Sequence, residues 1–417
     1  MKRLYKLENQ VKHYGWGSPE WIPRLLGREN SSNDPWAELW MGVHPEGPSK
    51  IDVDGIGLDE LIRQDPSRYL GEETRREFGS LPFLYKLLAA GKPLSIQAHP
   101  NKEQARTGWE RENVAGLPPH AANRNYRDPN HKPEILCALS PFKAMCGFRE
   151  VREIQKILDS FSFGMEPGAQ SGLEAGAAGN LRALFTALVK ALESGPALEV
   201  LIRTLFNLSR EARRALGIYA RQGRDFLTQT YPEYGAEWQT TAYFASLYPE
   251  DPGIIAPLYL NLLNLVPGEA IFLPAGVLHA YIEGFGVELM ANSDNVLRGG
   301  LTEKHIDVDE LVRILRFTPF MPAVMSAPRE AGVFTYPSEC REFSLSVIKG
   351  RGVQILTGSS PRIFLVTEGS AILSAGGGRE KLSLSQGESA FAAPVEGSEE
   401  FSLSGDYTLY AAGIGHA

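Results

Sequence analysis

The residues that invite a chemical reading are Gln97 and His99, in the run SIQAHP from Ser95 to Pro100 of a chain with only eight histidines. On a strand, residues two apart share a face because successive side chains alternate sides. The amide oxygen of Gln97 and an imidazole nitrogen of His99 can therefore meet one metal ion. A second histidine stands in PGEAIFLPAGVLHAYIEG, residues 267–284: Gly268, five residues, Pro274, one residue, Gly276, two residues, His279. This reads as strand, tight turn, strand. The proline fixes the turn entry and the glycine relieves backbone strain, which aims the imidazole inward from the second strand.

Such residues need a strand scaffold, and the flanking texture supplies one. Up to about residue 148, short apolar runs such as LPFLYKLLAA and EILCALSPFKAMCGF are divided by Gly, Pro and Asn, which is mainly strand and turn chemistry. Residues 149–255 change character. REVREIQKILDSF, LRALFTALVKALESG and LEVLIRTLFNLSREARRALGIYARQ repeat apolar residues at helical spacing, with Ser209 as an N-cap and Glu211 in the turn after it. The Gly- and Ala-rich GMEPGAQSGLEAGAAGN is expected to be a mobile loop within this block. Strand texture resumes over 256–325, interrupted by helical spacing from Val308 to Phe317, and an all-β pattern fills 326–417.

A helical block between two β halves is most simply an insertion. The expected architecture is mainly β: a barrel from 1–148 and 256–325, an inserted helical domain at 149–255, and a separate C-terminal β domain at 326–417.

Composition narrows the function. The chain is 43% hydrophobic and 22% charged, as in a soluble globular protein, and its 417 residues call for more than one core. No run approaches the ~18 uninterrupted apolar residues of a membrane helix, and the first residues lack a secretory apolar core. A cytoplasmic location and no membrane partner are expected. A net charge of -8 argues against nucleic acid, which is bound through clustered Lys and Arg. Cys137, Cys146 and Cys340 show no C-x-x-C spacing, so neither disulfides nor a thiolate zinc site is indicated.

The Gly268–His279 pattern resembles the second motif of the cupin superfamily of jelly-roll barrels, departing from it at Glu283, where asparagine is usual. The first cupin motif normally reads His-x-His followed by a glutamate. Here Gln97 replaces the first histidine, and the nearest glutamate on a following strand is Glu134 in HKPEILCALS, past the interruption NKEQARTGWERENVAGLPPHAANRNYRDPN, which has to loop out. Taken together, SIQAHP, HKPE and LHAYIEGFGVELMANSDNVLRGGLTEKHID resemble the type I mannose-6-phosphate isomerases. The resemblance implies metal ligands Gln97, His99, Glu134 and His279 and one Zn2+ per chain. Ligand types alone leave Zn, Fe(II) and Mn open. A single protein carboxylate leaves the ion net positive and able to polarise a substrate oxygen, with a further position needed for water or substrate.

Aldose–ketose interconversion removes a proton beside a carbonyl and returns it to the neighbouring carbon. By the resemblance Arg298 lies in the active site, where a guanidinium suits an oxyanion or a phosphate, and Gly299 and Gly300 let backbone approach a ligand. Ser95 and Lys132 are placed in the pocket in the same way. His131, Lys86, Glu288 and Lys304 are further candidates for proton transfer, ring opening or phosphate binding. Trp16, Trp36 and Trp40 suit sugar stacking in principle, but packing is the plainer role. The C-terminal domain, whose only histidine is His416, is expected to be metal-free.

The implied activity is interconversion of mannose 6-phosphate and fructose 6-phosphate, by a monomer acting on a small sugar phosphate. Three readings compete. Isomerisation of another sugar phosphate on the same fold stays open, because epimers differ by one hydroxyl. A cupin Fe(II) oxygenase also uses two histidines and a glutamate, but a Gln97 ligand and nearby cations crowd the positions that oxygen and co-substrate need. A non-catalytic sugar-binding bicupin would keep its ligand affinity after chelation.

Overall fold

The structure is a computed structural model that describes residues 2–52, 55–165, 174–193, 195–356, 360–394 and 400–415. Its spine is the strand His279–Ala291. The second half of this strand lies between Phe83–Ala90 and Glu134–Ala138, and its first half pairs with Phe142–Phe148 and, at His279, with Gln97. Around it an eleven-stranded sheet, counted among the described residues, extends through Glu269–Leu273 on one side and Glu38–Gly42 on the other. Strands Phe83–Ala90 and Glu134–Ala138 are buried throughout, as continuous apolar runs require when both faces are covered.

A second, nine-stranded sheet among the described residues is built on Ser344–Arg351, Arg362–Ala375 and Phe401–Gly413. It has an interior of its own, where Phe364, Val366, Phe401 and Leu403 pack. Its outer face closes on the first sheet through Tyr336, Leu345 and Tyr410, which share a core with Leu39, Phe83 and Tyr85. Each such side chain contributes roughly 1.5–3 kcal/mol by leaving water. The mainly β class with an α-helical insertion is the observed one.

Helices run from Val151–Phe163 to Gly235–Leu247 between the two β parts of the first sheet. The Ser209 side chain accepts from the Ala212 N–H at the start of Arg210–Gln222, as its N-cap position predicts. Of the Gly- and Ala-rich stretch, residues 166–173 lie outside the described residues, and the part from Ala175 onward begins a helix, not a loop. The helix expected over Val308–Phe317 ends at Ile314, because Leu315 is already extended.

Two features of the N-terminal part depart from the sequence reading. Strand Leu4–Glu8 pairs with Ser389–Ala392 and Lys50–Ile51, so it completes the second sheet and not the first barrel. The texture read as strand and turn also contains helices at Trp21–Leu25, Leu58–Gln64, Pro66–Leu70, Glu72–Phe78 and Lys102–Val114. The last of these forms much of the expected looped-out interruption. A capping box, with Asn101 accepting from Gln104 N–H and the Gln104 side chain accepting from Asn101 N–H, starts it.

Candidate metal centre and active site

Register brings the sequence motifs together. Gln97 lies opposite His279 on one side and opposite Arg298 on the other. Residues directly opposite in antiparallel strands carry their side chains on the same face, so Gln97, His279 and Arg298 form one row, of which Gln97 and Arg298 line a cavity. The turn before His279 is tied to the other histidine, since Gly276 N–H donates to the His99 carbonyl at 2.8 Å. Gly276 has φ +78, and a Cβ there would sit 2.8 Å from the Ile314 carbonyl oxygen, so both conformation and space ask for glycine.

The imidazoles are held by their outer nitrogens. His99 Nδ1 lies 2.7 Å from the Asn295 carbonyl oxygen and His279 Nδ1 2.9 Å from that of Val277. A carbonyl only accepts, so each Nδ1 carries the proton and each Nε2 presents a lone pair. Both Nε2 atoms point at Glu134, at 3.4 Å from its two oxygens. His99 Nε2, His279 Nε2 and Glu134 Oε2 are buried without a hydrogen-bond partner. Three acceptors facing one another repel, and a divalent cation between them converts the repulsion into coordination. The carbonyl bonds behind the rings are the outer support that metal-ligating histidines ordinarily have. The residues present therefore fit a metal ion, and Gln97 lines the same cavity.

Electrostatics keep the donors ready. Burial, aided by Lys132 and His279 and opposed by Glu134, pushes the His99 imidazole down to about 4, so it is neutral near pH 7. Burial works to raise the Glu134 carboxyl, but the Lys132 ammonium leads the groups that outweigh it and hold the carboxyl well below the usual range. Lys132 Nζ is 3.2 Å from Glu134 Oε1.

The cavity, of about 590 Å³, is lined by Ser95, Gln97, Lys86, Lys132, Glu134, Glu288, Arg298 and Lys304 among others. Its inner wall carries a buried charge cluster. Lys86 Nζ lies 2.9 Å from Glu288 Oε2 and 3.5 Å from Glu38 Oε1, and the other Glu38 oxygen accepts from Trp40 Nε1–H at 2.7 Å. Burial disfavours the Lys86 ammonium, but Glu288, Glu38 and Glu134 overcome this and raise its pKa; burial also raises the Glu288 carboxyl, against Lys86. Three carboxylates against the ammoniums of Lys86 and Lys132 leave one surplus negative charge, which a divalent ion would reverse.

The rim is opposite in character. Arg298 has no carboxylate within ion-pair distance among the described residues, although Asp294 and Glu303 are close in sequence. The pKa of Arg298 is lowered by burial and by Arg127, and that of Lys304 by burial, Arg298 and Arg127. Cations that depress one another are a site for an anion.

His131 is not brought into this group. Its Nε2 is 2.7 Å from Glu342 Oε1, outside the cavity lining. Alternation along the extended approach to Glu134 sends Lys132 and Glu134 inward and turns His131 away. Glu283, where the cupin motif has asparagine, is exposed and 3.4 Å from Lys143.

Several cavity residues are invisible to motif reading. Trp16, assigned to packing from the sequence, does pack against the core around Phe142 and Tyr281, and it also lines the cavity with Tyr14, their rings stacked with centroids 5.7 Å apart. Trp40 is a packing residue at 5% exposure. Tyr248, Tyr281 and Glu38 enter the lining by long-range packing alone.

Comparison with known proteins agrees with this geometry. Residues 4–151 match the family model described as phosphomannose isomerase type I, catalytic domain. The chain is 41% identical to mannose-6-phosphate isomerase of Escherichia coli over 402 residues, covering 94% of this chain and 95% of that one. An alanine mutant of phosphomannose isomerase from Salmonella typhimurium superposes with a TM-score of 0.85 at 35% identity, covering 99% of this chain and 100% of that one. A zinc-bound mannose 6-phosphate isomerase gives a TM-score of 0.84 at 35% identity, covering 100% of both chains. On these grounds the chain belongs to the type I phosphomannose isomerase family.

Proposed function

We propose that this chain is a zinc-dependent aldose–ketose isomerase that interconverts mannose 6-phosphate and fructose 6-phosphate through an enediol(ate). The observation that carries the reading is the convergence of His99 Nε2, His279 Nε2 and Glu134 Oε2 as unpartnered buried acceptors beside a cavity that Glu134 and Gln97 line and whose rim is cationic. His99, Glu134 and His279, with Gln97 beside them, would hold the ion. Held there, zinc would supply a Lewis acid able to stabilise negative charge on a substrate oxygen.

The chain's own residues do the rest. Arg298 and Lys304 grip the phosphate at the rim, with Arg127 adding positive potential. Ser95 lies beside Gln97 on the same wall. Lys86, Glu288 and Lys132 face the inner end, where a proton must leave one carbon and return to the next. The Glu288 carboxyl, raised by burial against the pull of Lys86, stands beside that ammonium at the inner end, where an acid–base group would act. Trp16 and Tyr14 offer an aromatic face to the sugar carbons.

No helix among the described residues is long and apolar enough to cross a membrane. The same reading makes the protein a cytoplasmic monomer whose partner is a small sugar phosphate.

The test is a coupled assay with mannose 6-phosphate before and after chelation, and again after zinc is restored. Activity lost on chelation and recovered with zinc is the expected result. Turnover that is indifferent to chelation, or absent throughout, overturns the reading.

A further inference from the structure

Arg298 and Lys304 flank a loop whose shape is imposed from outside the barrel. Gly299 N–H donates to the Ile96 carbonyl at 2.7 Å, and Ile96 N–H donates to the Gly300 carbonyl at 2.9 Å, which pins one edge of the loop beside Ser95 and Gln97. The other edge is held by Asp251, at the end of the helical insertion. One Asp251 oxygen accepts from Gly253 N–H at 2.7 Å, and the other accepts from Thr302 N–H at 3.1 Å. A single carboxylate thus joins the insertion to the loop.

The junction is tight and strained. A Cβ at Gly300 would lie 2.8 Å from Gly253 Cα, and one at Gly253 would lie 2.9 Å from Gly300 Cα, so the two backbones touch where only glycines fit. Between Gly300 and Thr302, Leu301 adopts φ 54, a left-handed conformation rare for a branched apolar residue. Such a conformation persists only where its surroundings over-determine it. Asp251 and the buried Leu301 side chain provide that. Tyr248, whose carbonyl accepts from Asp251 N–H at 3.2 Å, lines the same cavity as Arg298, Leu301, Thr302 and Lys304.

We propose that Asp251 is a positioning residue for substrate binding: by holding the Thr302 backbone it fixes the separation and direction of Arg298 and Lys304, so the helical insertion sets affinity for the substrate's phosphate from outside the metal centre. This rests on the assignment of Arg298 and Lys304 to the phosphate. Asp251 touches neither the metal ligands nor the Lys86–Glu288 pair, so its contribution falls on binding and not on proton transfer.

The experiment compares zinc-loaded wild type, Asp251→Ala and Asp251→Asn. KM and kcat are measured for mannose 6-phosphate, and the dissociation constant of inorganic phosphate is measured calorimetrically without turnover. A misplacement of about 1 Å in a positioning group is worth up to ~100-fold. Asp251→Ala is expected to raise KM and the phosphate constant together by about ten-fold or more, with kcat changed by less than about three-fold and zinc content unchanged. Asp251→Asn, nearly isosteric and with one oxygen left to accept, is expected to show a smaller rise in both constants. It also keeps the test decisive if Asp251→Ala does not fold. Wild-type values of both constants in a soluble variant overturn the proposal, as does a fall in kcat with both constants unmoved. Failure of the wild type to isomerise mannose 6-phosphate would instead strike at the functional reading, while the phosphate constants would still report on Asp251.

Discussion

Lys86 and Glu288 stand directly opposite each other on paired antiparallel strands, with the ammonium 2.9 Å from the carboxylate and both side chains closed off from water. The pair is not isolated, because Glu38 approaches the same ammonium at 3.5 Å. Removal of one partner from a buried pair leaves an uncompensated charge and costs about 3–5 kcal/mol. The two ends therefore differ.

Lys86→Met strands both Glu38 and Glu288 and is expected to lower the unfolding free energy of the zinc form by about 3–5 kcal/mol. Glu288→Gln leaves Lys86 paired with Glu38 and should cost about 1 kcal/mol, near the net worth of one hydrogen bond. Both should reduce kcat by about 100-fold or more, the scale of a lost acid–base group. Denaturant unfolding and the coupled assay check this. Equal stability losses at the two positions would contradict the shared ammonium.

The metal site predicts a graded response among its donors. His279→Ala and Glu134→Ala each remove a buried donor and should lose the bound equivalent of zinc by elemental analysis. Gln97→Ala removes a neutral amide and should retain the ion with weaker affinity. Full retention of zinc by His279→Ala would break the ligand assignment.

Acid should act on the metal-free form through His99. Its imidazole falls from the ordinary 6.5 to about 4 in the folded state because burial disfavours the cation. The unfolded chain therefore binds a proton that the folded chain refuses between these values, so stability declines as pH falls from 6.5 and levels off near 4. The displacement corresponds to roughly 3 kcal/mol. Urea midpoints of chelated wild type should drop across this window, and those of chelated His99→Gln should drop less. Parallel profiles would show that His99 is not the group responsible.

Gln97, His99 and His279 could be picked out as candidate donors from the sequence because that reading depends on period-two alternation and one tight turn, both local, whereas Glu134 came only with the HKPE resemblance. The same alternation, applied to His131, Lys132 and Glu134, would have turned His131 away from the site. The helices before residue 115 were missed for a different reason. Four of them span only five to seven residues, as EETRREF does, and the longer Lys102–Val114 carries too few apolar residues to show a helical stripe. Leu4–Glu8 joins Ser389–Ala392 across nearly the whole chain, and no local pattern encodes that pairing. Trp16, Tyr248 and Asp251 acquire their places through packing between distant segments, which a single sequence does not display.

Glu342, from the C-terminal part of the chain, accepts from His131 Nε2 at 2.7 Å, three residues before Glu134, and its other oxygen lies 3.2 Å from Cys340 Sγ. Burial raises the Glu342 carboxyl, but the His131 contact, the Cys340 thiol and backbone donors overcome it and bring the pKa from 4.5 to about 2. A depressed carboxyl contributes stability that is complete above its unfolded value, near 4.5, and is lost as pH falls toward about 2. Solvent reaches part of this pair, so the contribution above pH 5 is set at about 1–2 kcal/mol, less than the displacement alone would give. Glu342→Gln in the chelated protein should show that deficit at pH 6 and converge on wild type only as pH approaches about 2, read from urea midpoints. Because His131 faces Glu342 and not the cavity, His131→Gln should lower stability by a similar amount while kcat of the zinc enzyme stays within about three-fold, in contrast to the ~100-fold loss of a proton-transfer group. A large fall in kcat with stability intact would return His131 to the reacting atoms and make the Glu342 contact part of the chemistry.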